Sequence, residues 1–259
     1  MKKMKYIFLL VMSVTLAGLS HAQEFKVQAD NSKEGKLILE GFRGEMPIEG
    51  YSGTEIVVTA QGDRFKPDER AKGLKPIYAA GTDNTGIGLY MEKNGNHVTL
   101  HCLLPITSNA DYKIRVPENL ALEIIRDCAG GGETSIQGIK NEIEFKGCHD
   151  ISLKNVSGPL VISTISGNVN VVFSEISKDK SISITSVSGE VDVTLPAKAG
   201  FNLELGTVSG NMYSDFDFPA GGEKDMRRIG GGNIRGQFNG GGVGVRLNSV
   251  SGNIYVRKG

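Results

Sequence analysis

Apolar and polar residues alternate along most of this chain in short runs punctuated by glycine, and a period of two predicts strands with two unlike faces. Lys36 to Glu40 and Thr54 to Thr59 alternate in this way, and Asn94-Gly95 separates Gly88 to Lys93 from Asn96 to Leu103 as a hairpin turn would. Tyr112 to Val116 and Leu120 to Ile125, parted by Pro117, complete a strand-rich opening that ends near Arg126. Only Pro67 to Lys75 predicts helix, one or two turns with Pro67 at the start and a stop at Gly73 or Pro76.

The second half repeats. A V-S-G-N turn recurs as Ile165-Ser166-Gly167-Asn168, Val187-Ser188-Gly189-Glu190, Val208-Ser209-Gly210-Asn211, Ile229-Gly230-Gly231-Gly232-Asn233 and Val250-Ser251-Gly252-Asn253. The glycines at 167, 189, 210, 232 and 252 are 22, 21, 22 and 20 residues apart, a period near 21 that predicts one solenoid rung per repeat. The strands after them should point Val169, Val191, Met212, Ile234 and Ile254 inward, followed by Phe173, Leu195, Phe216 and Phe238. Outward columns are then Asn170, Asp192, Tyr213, Arg235, Tyr255 and Val172, Thr194, Asp215, Gln237, Arg257. The strands before the glycines share a register, Leu160/Ile162, Ile182/Ile184, Leu203/Leu205 and Val245/Leu247. Asp225 and Arg227 break it, so Pro219 to Arg228 is expected to loop out of the stack. Gly and Asn tolerate the positive φ a coil corner needs, and the column Asn168, Asn211, Asn233, Asn253 can hydrogen-bond from rung to rung, so Ser-Gly-Asn reads as a corner.

Composition adds three constraints. Residues 1–22, MKKMKYIFLLVMSVTLAGLSHA, have the lysine start, apolar run and small residues of a secretory signal, and the run is too short to span a bilayer. Cleavage after Ala22 leaves 237 residues with 26 basic against 29 acidic side chains, a charge of −3. That balance lacks the basic footprint of a nucleic-acid binder. No Cys follows the apolar run to accept a lipid, so the mature chain is expected to be exported, to periplasm or cell surface, and not integral to the membrane. The 35 glycines are roughly double the usual share and fit many turns between short strands. Three cysteines are an odd number for an oxidising compartment.

The V-S-G-N repeats, Gly50-Tyr51-Ser52-Gly53 leading into Glu55-Ile56-Val57-Val58, and the stretch Ser181 to Phe218 resemble the bacterial putative-adhesin β-solenoid domains common in Bacteroidetes envelopes, over about residues 36–259. The resemblance implies an all-β, right-handed parallel β-helix behind an N-terminal β cap, exported and noncatalytic, and brings no ligand and no functional residues. The cap is expected over 23–126 and the solenoid over 127–259, continuous as one elongated domain.

Candidate chemistry is sparse. β-Helix lyases and hydrolases need clustered carboxylates, and here Asp192 and Asp215 are the one acid and base pair on an outward face, beside Arg235 and Arg257. Asp215 and Asp217 share a face but fall short of the six to eight oxygens of a calcium site. His97 and His101 would share zinc on a helix, yet four residues of strand span about 13 Å. Ser177 to Lys180 spells Ser-x-x-Lys by chance, with no helix after it. No metal or cofactor is therefore expected. Cys128 and Cys148 lie one rung apart, so their α-carbons should stack near 5 Å, as a disulfide or as a thiol ladder, with Cys102 free in the disulfide case. Tyr213 and Tyr255, with Arg235 between them, are the best candidate binding platform in a chain without Trp.

These readings point to a noncatalytic module that presents a rigid face to an extended polysaccharide or to an envelope or host protein. A polysaccharide lyase or hydrolase and a structural or stress-response envelope scaffold are the alternatives. The C-terminal rung near Ile254 reads as an open end through which copies could associate.

Overall fold

The computed structural model describes residues 23–259 except 31, 33, 62–68, 72, 75, 76, 106, 108, 109, 179 and 219–231. The signal segment and the Pro219 to Arg228 loop therefore lie outside the described residues, as do Ile229, Gly230 and Gly231. The alternating runs form strands whose apolar sides turn inward, and these assemble into two ten-stranded sheets plus a two-stranded one. Residues from Ala29 to Val256 belong to a single buried apolar cluster between the large sheets. Each rung contributes one strand to either sheet. Among the described residues no helix is long and apolar enough to cross a membrane.

The register read from the repeat is the register of the fold. Leu160 pairs with Ile182 and Ile162 with Ile184, all four buried, and on the other sheet Val169 pairs with Val191. Pairing is parallel and in step, so like side chains stack at about 4.8 Å. At the corner, Gly189 adopts φ 125°, and a β-carbon there would strike the Gly167 carbonyl oxygen. Gly252 stands in the same relation to Gly189, and Gly210 to Gly252. The glycines thus stack directly on one another, which explains why the repeat keeps them. Beside them the Asn168 Oδ1 accepts the Glu190 amide at 3.0 Å and the Asn253 Oδ1 accepts the Asn211 amide at 2.9 Å.

The order of rungs departs from the order of the chain. Strand Val243–Ser251 pairs with Ile182–Ser188 on one side and Phe201–Ser209 on the other, and Ile254–Lys258 lies between Val191–Leu195 and Met212–Ser214. The last rung fills a slot left open between two earlier ones. Ile254 is consequently internal and wholly buried, so the open end expected there does not exist. Gly232–Phe238 does not continue the stack either. It runs antiparallel along Phe201–Ser209, pairing Ile234 with Leu205 and Phe238 with Phe201, so Ile234, Arg235, Gln237 and Phe238 leave the columns expected for them. The turn Asn239-Gly240-Gly241-Gly242, with positive φ throughout, carries the chain over the start of Phe201–Ser209 into the slot. Asn239 fastens it by donating to the carbonyls of Ala197 (3.0 Å) and Ala199 (2.8 Å). Asn233 is likewise absent from the asparagine column.

The other end shows the same inversion. Strands Lys36–Glu40 and Met46–Tyr51 are sandwiched in parallel between the later rungs Ala121–Ile125 with Thr134–Gln137 and His97–Cys102 with Asp111–Pro117. Parallel stacking thus begins at Lys36, and residue 126 divides nothing in the stack. Antiparallel strands close this end: Leu89–Asn94 beside His97–Cys102, and Glu55–Gln61 with Gln23–Gln28 beyond Asp111–Pro117. The hairpin turn sits at Gly95 and Asn96, one residue later than read. Of the expected helix, the described part is a short 3-10 turn, Glu69–Ala71; Pro67, Lys75 and Pro76 lie outside the described residues.

Candidate functional site

Insertion of the last rung brings Tyr213 and Tyr255 directly side by side. They face one another across paired strands, ring centroids 5.2 Å apart and 11° from parallel, with Tyr213 half exposed on the last strand of its sheet. The Tyr255 hydroxyl donates to Glu190 Oε1 at 3.3 Å and accepts from Asn253 Nδ2 at 3.1 Å, which fixes the inner ring. Arg235, expected between the rings, is on the opposite sheet, bonded to Glu204 at 3.2 Å. Its place near the tyrosines is taken by Arg257, whose guanidinium lies 5.6 Å from the Tyr255 ring centroid, within reach of a cation–π attraction. Arg257 was legible beside Tyr255, two residues along the same strand, but the adjacency of Tyr213 to that strand was not.

Arg257 also grips Asp192, Nε to Oδ1 at 2.8 Å and Nη2 to Oδ2 at 2.7 Å. The Asp192 carboxylate pushes the Arg257 pKa further up, by hydrogen bond first and charge second. Asp192 therefore enters no free acid and base pair with Asp215, which instead lies near the Lys258 amide. What the arrangement offers is the outer side of the Tyr213 ring, backed by Tyr255, suited to stacking a sugar ring or a peptide plane. Among the described residues no three His, Cys, Asp or Glu side chains gather as a metal site. Asp217 bonds Lys258 weakly at 3.9 Å, and His97 and His101 sit on strand His97–Cys102, His101 against Glu40 at 2.8 Å.

The Cys128 and Cys148 sulfurs are within bonding contact, with α-carbons 5.0 Å apart, whereas Cys102 stands alone. Burial pushes the Cys102 thiol pKa up, against a smaller pull from its hydrogen bond with Leu104. A raised pKa leaves little thiolate at neutral pH. Alkylating the native protein without reductant is thus expected to label nothing quickly, denaturation to reveal one thiol, and reduction three. Three labels on the denatured, unreduced chain would rule out the bond.

Residues 129–257 match the Toastrack DUF4097 family model. The chain is similar to the solved structure of a putative cell adhesion protein from Clostridium sporogenes at 14% identity and a TM-score of 0.50, covering 92% of this chain and 100% of that one. A putative adhesin from Bacteroides fragilis is similar at 11% identity and a TM-score of 0.40, covering 91% and 95%. No curated protein matches the sequence.

Proposed function

We propose that this chain, a Toastrack-type β-solenoid over residues 129–257, is an exported noncatalytic binding module that lays an extended polysaccharide, or an envelope or host protein, across its C-terminal rungs. The coil is read as right-handed, the hand of nearly all parallel crossovers. The outward Tyr213, stacked on Tyr255, carries the reading, because a ring already held against its neighbour leaves its outer side open and costs little side-chain entropy to use. Export rests on residues 1–22 and leaves periplasm or cell surface as the destination. The noncatalytic part rests on Asp192, both of whose oxygens are held by Arg257.

The test is to incubate residues 23–259 with envelope and matrix polysaccharides, scoring retention and chain length together. Retention with intact chains is expected, with about tenfold weaker binding by Tyr213→Ala/Tyr255→Ala, since tenfold corresponds to about 1.4 kcal/mol, the scale of losing one buried ring contact. Unchanged binding by that variant would remove the platform, and shortened chains would replace a binder with an enzyme.

A further inference from the structure

The outer face of the sheet opposite the tyrosines carries a groove of about 640 Å³ at the same end of the stack. Insertion of the last rung creates it. Register across four strands sets Ser183, Arg246, Glu204 and Arg235 in one row, and Gly244, Asn202 and Gln237 in the next. Gly244 places no side chain on the floor, so the backbone there lies bare between Ser181 and Asn202. Glu204 is the single acid in the lining and is shared: Oε1 accepts from Arg235 Nη2 at 3.2 Å, and Oε2 from Arg246 Nη2 at 3.1 Å and Nε at 3.3 Å. The hydrogen bond from Arg235 is the main reason the Glu204 pKa is held low.

One carboxylate between two guanidiniums leaves the described lining one positive charge in excess. Both guanidiniums reach solvent, their side chains 75% and 60% exposed. Among the described residues, Arg235 Nε and Nη1 and Arg246 Nη1 have no partner. They stand on strands two apart and hold opposite oxygens of one carboxylate, so they can meet neighbouring charges of one ligand. Ile182, Leu203 and Val245 also line the groove, but their side chains are buried in the core, so what they add is backbone; the other described side chains are hydroxyls and amides, with no aromatic, which suits a ligand rich in hydroxyls.

We propose that this groove is an anion site for a polysaccharide bearing carboxylates, a uronate-type chain whose carboxylates take the free donors of Arg235 and Arg246. Guanidinium forks match a planar carboxylate better than a point cation does, and such charge-assisted bonds are about twice as strong as neutral ones. The proposal deepens the binding-module reading by naming a ligand class, but it occupies a separate face from the tyrosines.

The experiment titrates residues 23–259 with oligogalacturonate and with the same oligomer fully methyl-esterified, at low and at about 0.5 M salt. The free acid should bind, weaken at least tenfold with salt, and exceed the ester at least tenfold. Arg235→Ala/Arg246→Ala should lose at least tenfold in affinity. Glu204→Gln frees both guanidiniums and should bind several-fold tighter, an opposite change that misfolding would not produce. Equal binding of acid and ester, wild-type binding by the arginine variant, or weaker binding by Glu204→Gln would overturn the site. Poly-glutamate bound as tightly as the uronate would overturn the sugar assignment. Tyr213→Ala/Tyr255→Ala should keep uronate affinity, so loss of the tyrosine platform and loss of this groove are read separately.

Discussion

A chain ending at Gly242 is expected to lose cooperative unfolding and to recover it when a peptide of residues 243–259 is added. The deleted rung supplies Val245, Leu247, Ile254 and Val256, each at most 1% exposed. At roughly 1.5–3 kcal/mol per buried aliphatic side chain, these four alone contribute about 6–12 kcal/mol, comparable with the whole stability of an ordinary domain. Deletion also uncovers the partners on both flanks, from Ile182 and Ile184 on one side to Leu203 and Leu205 on the other. An outermost rung would be missed far less, because it touches one neighbour. The slot has two unpaired parallel edges of fixed register, so the peptide should enter in one alignment, and a scrambled peptide should not. Urea titration followed by circular dichroism checks this. A truncated chain with the full-length midpoint would show that the terminal rung is not integral to the core.

Arg126→Met is expected to cost about 3–5 kcal/mol, although it removes a charge and keeps most of the volume. Arg126 is 4% exposed and, among the described residues, bonds no carboxylate. It donates instead through Nε to the Phe42 carbonyl at 3.3 Å, through Nη1 to the Gly132 carbonyl and Thr134 Oγ1 at 3.0 and 2.8 Å, and through Nη2 to the Gly44 and Gly131 carbonyls at 2.9 and 3.1 Å. Burial lowers its pKa, with Glu45 opposing. One planar cation thus satisfies two glycine loops that run too close together for side chains: a β-carbon on Gly132 would meet the Gly44 backbone. Methionine would leave those carbonyls without donors. Arg126→Lys should recover little, because an ammonium cannot reach both loops. Equilibrium unfolding in urea measures both, and a Met variant within 1 kcal/mol of wild type would refute this role.

Arg126 was legible only as the end of a strand, and the reason is general to this chain. The clamp depends on carbonyls 82 and 84 residues away, at Gly44 and Phe42, brought near by a rung that inserts out of order. Arg235 fails as a member of the tyrosine platform for the same reason. Its place three residues past Gly232 was correct in phase, but its strand pairs with Phe201–Ser209 in the other sheet. Two local signals did mark the departure: the charged Asp225 and Arg227 where Leu or Ile should recur, and the Asn239-Gly240-Gly241-Gly242 turn, which can redirect a chain where three glycines admit positive φ.

The sequence by itself determined which side of each strand faces inward, where the corners fall, and that Leu160, Ile182, Val245 and Leu203 share one column. Alternation and glycine spacing encode face and phase, and both are local. The tertiary structure alone decided which rung neighbours which, and with it the Tyr213–Tyr255 pair and the Arg235–Glu204–Arg246 row. Every rung offers nearly the same aliphatic inward face, so a strand fits equally well against several others. Only the crossing of 239–242 and the closing of both sheets over one core select the arrangement in which the last rung is not at the end.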